Sequence, residues 1–140
     1  MRLFVRLFFR LIRLILTPFM LLSEWLTTPK AISRSPEQQL KTDQACQQLA
    51  LYQFSACPFC IKVRKEMARL GLNIEKRDAQ HNVSHRNELQ NGGGRVKVPC
   101  LRIAATDSPI ETERNVQWLY ESDDIIRYLR QQFAGDTTTK

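Results

Sequence analysis

Leu51-Tyr52-Gln53-Phe54-Ser55-Ala56-Cys57-Pro58-Phe59-Cys60 is the stretch from which the fold of this chain is read. Leu49 to Phe54 is short, apolar and aromatic, as strands are, and Ser55-Ala56 behind it supplies a turn. Pro58 suits the first position of a helix, where its missing N–H costs nothing. Cys57 then falls at the helix N-cap and Cys60 one turn inside. Free N–H groups and the positive end of the helix dipole point at Cys57 and favour its thiolate, the nucleophilic form of the side chain. The three-residue spacing lets Cys60 reach the Cys57 sulfur and close a small disulfide. Lys62, Arg64 and Lys65 add positive potential nearby.

Downstream, Pro58 to Leu70 reads as a helix with Ile61, Met67, Ala68 and Leu70 turned inward, and Gly71 ends it as a C′ residue. Leu72 to Arg77 is a second strand, so strand, helix and strand imply a parallel crossover. Val83 to Gln90 is a short helix with Asn91-Gly92-Gly93-Gly94 as its flexible end. Val96 to Ile103 leads into a third strand and Asn115 to Tyr120 into a fourth. Ser122 to Phe133 is the last helix, and the tail from Gly135 to Lys140 is polar and loose. Helices on both sides of the strands give a three-layer α/β domain over 49–133.

Two cysteines at this spacing in a strand-turn-helix setting are a redox-site signal. Cys57-Pro58-Phe59-Cys60 resembles the C-P-[YF]-C active site of the glutaredoxin family, and the resemblance extends to Leu129. It implies a thioredoxin-like sandwich with a four-stranded mixed sheet. It also implies glutathione-dependent thiol-disulfide exchange, in which Cys57 attacks and Cys60 resolves. Glutathione would be the co-substrate, and disulfide-containing or glutathionylated proteins the targets. Val98-Pro99 is similar to the family's T-V-P motif, whose proline is cis. By that resemblance Val98 offers its backbone to the cysteine part of glutathione, while Lys97 departs from the usual Thr.

Glu121-Ser122-Asp123-Asp124-Ile125-Ile126 resembles the G-G-[CS]-D-D segment of glutaredoxins. It is equally similar to the E-S-x-A-I motif of the glutathione transferase N-terminal domain. Ser122 suits an N-cap and Asp123 the first helical turn. In both families this element holds the γ-glutamyl end of glutathione. Arg86, thirteen residues before Pro99, stands where glutaredoxins often hold the glycyl carboxylate, and Arg95 is a second candidate. Phe54 occupies the position of a common family lysine, which weakens carboxylate binding on that side. A different reading is a glutathione-binding, redox-sensing module of transferase type with little turnover. A zinc site from Cys57, Cys60, His81 and His85 has the right residue types, but twenty residues separate the pairs, so no metal is expected. Iron–sulfur bridging occurs in relatives with C-G-F-S, and Pro58 argues against it. Cys46 and Cys100 read as apolar residues or as further exchanging thiols.

The net charge of +7 is uneven: residues 1–35 carry six basic residues and one acid, a net +5. The remainder is nearly balanced, so nucleic-acid binding is not expected. Four cysteines do not make a secreted disulfide framework. Met1 to Leu26 is rich in Leu, Phe and Ile, with Arg2, Arg6, Arg10 and Arg13 inside an arc of roughly 80°. That is a basic amphipathic helix suited to an anionic membrane surface, with Trp25 at the interface and Pro18 as a kink. A true span, a cleaved segment and a helix packed on the protein's own core are the other readings. Lying flat, residues 1–26 would keep the redox domain on the cytoplasmic side with the glutathione pool. Residues 27–48 read as a linker and a polar spacer helix begun by Ser35-Pro36.

Overall fold

The computed structural model describes residues 1–104 and 116–134. The first strand, β1 (Leu49–Gln53), is the centre of the molecule. It pairs in parallel with β2 (Glu75–Asp78) and antiparallel with β3 (Cys100–Ala104), which pairs antiparallel with β4 (Val116–Leu119). The sheet order is β2-β1-β3-β4, a mixed sheet. Successive side chains of a strand point to opposite faces, and both faces of β1 are buried. Leu49 and Leu51 enter one core with Val63, Met67, Leu101, Ile125 and Leu129. Ala50 and Tyr52 enter the other with Ala79, Leu89 and Cys100. Helices α3 (Pro58–Arg69) and α5 (Ser122–Phe133) therefore cover one face and α4 (Val83–Gly93) the other, the three layers expected.

Gly71 ends α3 as expected, in the left-handed conformation at φ 64°. The Gly71 N–H bonds the Ala68 carbonyl and the Leu72 N–H the Met67 carbonyl, a paired closure of the helix end. Inside α3, Val63 and Glu66 are buried where the sequence pointed to Ala68, which is half-exposed. Glu66 is accommodated by Arg69 and Arg130, whose guanidinium groups reach its carboxylate at 2.5 and 2.8 Å. Burial opposes the charged form of Glu66, but the bonds from Arg130 and Arg69 outweigh it and hold the carboxyl down at about 2.

Several boundaries differ from the sequence reading. The second strand pairs only from Glu75 to Asp78, because Leu72 and Ile74 are spent on the core as the chain leaves α3. Asn91-Gly92-Gly93 is not a flexible end but the last turn of α4, closed by Gly94 at φ 86°. The two glycines allow that turn to press on Trp118 of β4 and on Tyr120 just beyond the strand. A Cβ at Gly92 would lie 2.3 Å from the Trp118 ring, and one at Gly93 1.8 Å from the Tyr120 hydroxyl. Ser122 is the first residue of α5 and buried; Glu121 is the N-cap, with no side-chain cap bond. Leu119 ends β4, and the chain is extended at Glu121 (φ −91°, ψ 131°) and helical from Ser122, one residue earlier than a Ser122 cap requires. The start of the fourth strand at Asn115 and the tail 135–140 lie outside the described residues.

Ahead of the sheet, α1 (Arg2–Thr27) is a single helix with Pro18 inside it, and α2 (Pro36–Cys46) follows. Ser35 and Gln38 close a reciprocal capping box at the start of α2. Thr42 and Cys46 are buried, and burial pushes the Cys46 thiol up. The segment between the two helices is fastened to the domain: Ile32 N–H bonds the Arg69 carbonyl, and Arg34 donates to the Leu70 and Phe133 carbonyls. None of the described helices is long and apolar enough to cross a membrane.

Candidate functional site

At the C-terminal end of β1 the chain leaves the sheet through Phe54, Ser55 and Ala56 and enters α3 at Cys57. The Cys57 N–H bonds the Phe54 carbonyl at 3.3 Å, which closes the turn. Cys57 is the N-cap, as the sequence indicates, at φ −80° and ψ 123°. Its carbonyl accepts from Ile61 N–H at 2.9 Å, the first bond of the helix. Pro58 follows at the first helical position. Cys57 is half-buried and Cys60 fully buried, and both are free thiols. Burial pushes the Cys60 thiol up to about 12, and the neighbouring Cys57 adds to the rise through a hydrogen bond and through its charge. One thiol is thus open to attack a sulfur while its partner waits protonated behind it, the division of labour that a nucleophile and a resolving thiol need.

The peptide Val98-Pro99 is cis. Tyr52 pairs with Cys100 in the β1–β3 register. Continued past the strands, that register sets Pro99 opposite Gln53 and Val98 opposite Phe54, at the turn that leads to Cys57. Phe54 and Val98 also pack against the same core cluster. Cys100, next along, is completely buried, and burial pushes its thiol up to about 12. It is a packed residue on the α4 side of the sheet.

The start of α5 joins this group through two ion pairs. Lys62 of α3 bonds the Asp123 carboxylate. Lys97, just before the cis peptide, bonds Glu121 at 2.6 Å. Each lysine lowers the pKa of the carboxyl it touches. The structure therefore brings Cys57, Cys60, Val98, Pro99, Ser122 and Asp123 to one end of the domain. Arg86 is exposed on α4 and has no side-chain partner among the described residues. Arg95 lies over the Tyr120 ring, 4.5 Å from its centroid. Among the described residues no group of His, Cys, Asp and Glu is placed to hold a metal ion. His81 pairs with Asp78, and His85 stacks edge-on against Tyr52.

Two features escaped the sequence reading. Arg64 adds positive potential at Cys60, and it is also a clamp. It bonds the Gln53 side chain at 2.8 Å, the Phe54 carbonyl at 3.5 Å and the Ser55 carbonyl at 2.8 Å. Its other side grips Glu24 of α1 twice at 2.7 Å. Glu24 lies forty residues upstream, so nothing local in the sequence announces the pair. As a result α1 lies beside the site, and Phe9, Ile12, Leu16 and Met20 line a cleft of about 480 Å³ together with Phe54 and Cys57.

A mixed sheet between helices, a Cys-x-x-Cys at the helix after the first strand and a cis-proline before the third define a thioredoxin-like protein. The family model of the glutathione S-transferase N-terminal domain matches residues 51–137, more than half of the chain. The chain belongs to that family. No curated protein and no solved structure matches it.

Proposed function

We propose that the protein is a glutathione-dependent thiol-disulfide oxidoreductase of glutaredoxin type. The observation that carries this reading is the pair of free thiols at the start of α3, Cys57 half-exposed at the N-cap and Cys60 buried one turn on. Membership of a glutathione transferase domain family supports glutathione as the co-substrate. Cys57 thiolate attacks the glutathione sulfur of a mixed disulfide. The substrate thiol leaves and takes up a proton. A second glutathione attacks the Cys57–glutathione bond, which releases oxidised glutathione and restores the thiolate. With a protein disulfide, Cys60 instead attacks the bond to Cys57, and two glutathione molecules reduce the resulting Cys57–Cys60 disulfide. Cys60 becomes easier to deprotonate at that moment, because Cys57 in a mixed disulfide no longer carries the charge that raises it.

In this reading the Val98 backbone ahead of Pro99 meets the cysteine part of glutathione, and Ser122 and Asp123 meet its γ-glutamyl end. Lys97 stands at the start of α5 through Glu121 and can supply the positive charge absent at Phe54. Arg86 is assigned to the glycyl carboxylate only by resemblance. Residues 1–26 hold the enzyme on an anionic lipid surface, with its domain on the cytoplasmic side. The support is a helix face of exposed Phe4, Leu7, Leu11, Leu14, Leu22 and Trp25.

A second reading, a glutathione-binding redox sensor with little turnover, is favoured by one observation. Asp123 and Glu121 are already occupied by lysines, so ligand must compete for them. Glutathione-dependent reduction of a small mixed disulfide by the full-length chain separates the two. Steady turnover, lost in Cys57→Ser, establishes the oxidoreductase. Glutathione binding without turnover establishes the sensor.

A further inference from the structure

The cleft between α1 and the Cys57 turn shares Cys57 with the chemistry above, which uses none of its other lining. Its outer wall is one stripe of α1, Phe9, Ile12, Leu16 and Met20, and its inner wall holds Phe54 and Cys57. The stripe repeats at three- and four-residue steps, so it is a single helix face. It is held over the thiol by the Glu24–Arg64 pair, both of whose side chains are more than four-fifths buried. Arg13, Thr17 and Gln80 also border the cleft and add one positive charge and hydrogen-bonding groups to its largely apolar lining. About 480 Å³ is the size of a pocket for a few side chains or a small molecule.

We infer that this cleft is the site for the protein part of the substrate, and that the substrate is an apolar segment carrying a glutathionylated cysteine. The inference rests on the oxidoreductase reading and names its substrate class. Cys57 in the wall demands a sulfur electrophile at that point. The four apolar side chains of α1 demand apolar neighbours around the substrate cysteine, and Thr17 and Gln80 suit the backbone of a peptide. The opposite face of α1 is exposed and apolar, so a segment in the cleft lies within one helix diameter of whatever surface that face rests on. A cysteine at the edge of a membrane protein has both properties. The step itself is unchanged: Cys57 takes the glutathionyl group, and the segment leaves as a thiol.

The test uses the full-length chain in lipid nanodiscs and two glutathionylated peptides that differ only in leucines or serines around the cysteine. The parent is expected to turn over the leucine peptide with a kcat/KM about tenfold above the serine peptide, and Leu16→Ser or Met20→Ser to bring the ratio down about fivefold. Comparing variants on the same nanodiscs cancels peptide partition into lipid, and a general loosening of the fold would lower both rates and leave the ratio alone. A parent ratio near one, or a ratio unmoved in both variants, overturns the inference and leaves the oxidoreductase standing. If neither peptide is turned over, the oxidoreductase reading fails, and alkylation of Cys57 decides the cleft by itself. Faster reaction with N-benzylmaleimide than with N-hydroxyethylmaleimide, lost in Leu16→Ser, supports an apolar cleft at Cys57, and equal rates overturn it.

Discussion

Arg64 closes on Glu24 through two bonds of 2.7 Å and, with the same guanidinium, holds the carbonyls of Phe54 and Ser55. A residue seven positions after Cys57 thus ties the turn before it to a helix at the other end of the chain. Both partners are largely buried, so the pair is not one of the exposed bridges that contribute little.

Removing one partner leaves the other buried and uncompensated. Arg64→Ala is expected to release α1 at a cost of about 2–4 kcal/mol, and Arg64→Lys to restore little, since one ammonium cannot bridge a carboxylate and two carbonyls. Hydrogen exchange checks this: amides in 1–27 and at Phe54 to Cys57 should lose protection together while those of β1 and β3 keep theirs.

Glu66 gives the fold an acid limit. Its folded carboxyl sits at about 2, below its ordinary value of 4.5. A depressed carboxyl contributes stability that is full above the ordinary value and is lost as pH falls through the folded one. The expected contribution is on the order of 2–3 kcal/mol at pH 7, fading between about pH 5 and pH 2. In Glu66→Gln, urea denaturation should show that loss at pH 7 and a shallower dependence on pH across the acid window.

Gly92 tests whether the end of α4 is packed or loose. On a free helix turn, Gly→Ala stabilises by about 1 kcal/mol. Against Trp118 the new methyl has no room, and the expected result is the opposite sign, a loss of about 1–2 kcal/mol. Thermal unfolding of Gly92→Ala reads the sign directly.

The strand-turn-helix around Cys57 and the layering were legible because each rests on local chemistry, whereas the cis-proline was legible only through the resemblance of Val98-Pro99 to a family motif. Pro58 starts a helix, Gly71 ends one, and alternation within Leu49–Gln53 buries both faces of β1. The helical end of α4 was hidden because glycines signal flexibility in sequence, and only the rings of Trp118 and Tyr120 show why small residues stand there. The Glu121 cap was missed for a similar reason: Ser122 is the better capping residue, yet β4 delivers the chain one residue early. The Arg64–Glu24 clamp and the second partner of the buried Glu66, Arg130, join residues dozens of positions apart, which no periodicity records.

Thiol accessibility follows from burial. Cys46, Cys60 and Cys100 are buried, and only Cys57 is partly open. Iodoacetamide at pH 8 should label Cys57 alone in the folded protein and all four cysteines after unfolding, with peptide mass spectrometry locating each label. Raising the pH above about 9 should destabilise the fold, because Cys60 and Cys100, held up to about 12 by burial, retain protons that the unfolded chain gives up.

The most direct measurement is capture of the intermediate. Cys60→Ser protein is exposed to oxidised glutathione, its mass is read intact, and reduced glutathione is then added. One glutathione per chain is expected, located on Cys57 and released by reduced glutathione at a rate that sustains turnover. A chain that forms no adduct on Cys57, or carries one there that reduced glutathione does not remove, contradicts the oxidoreductase reading.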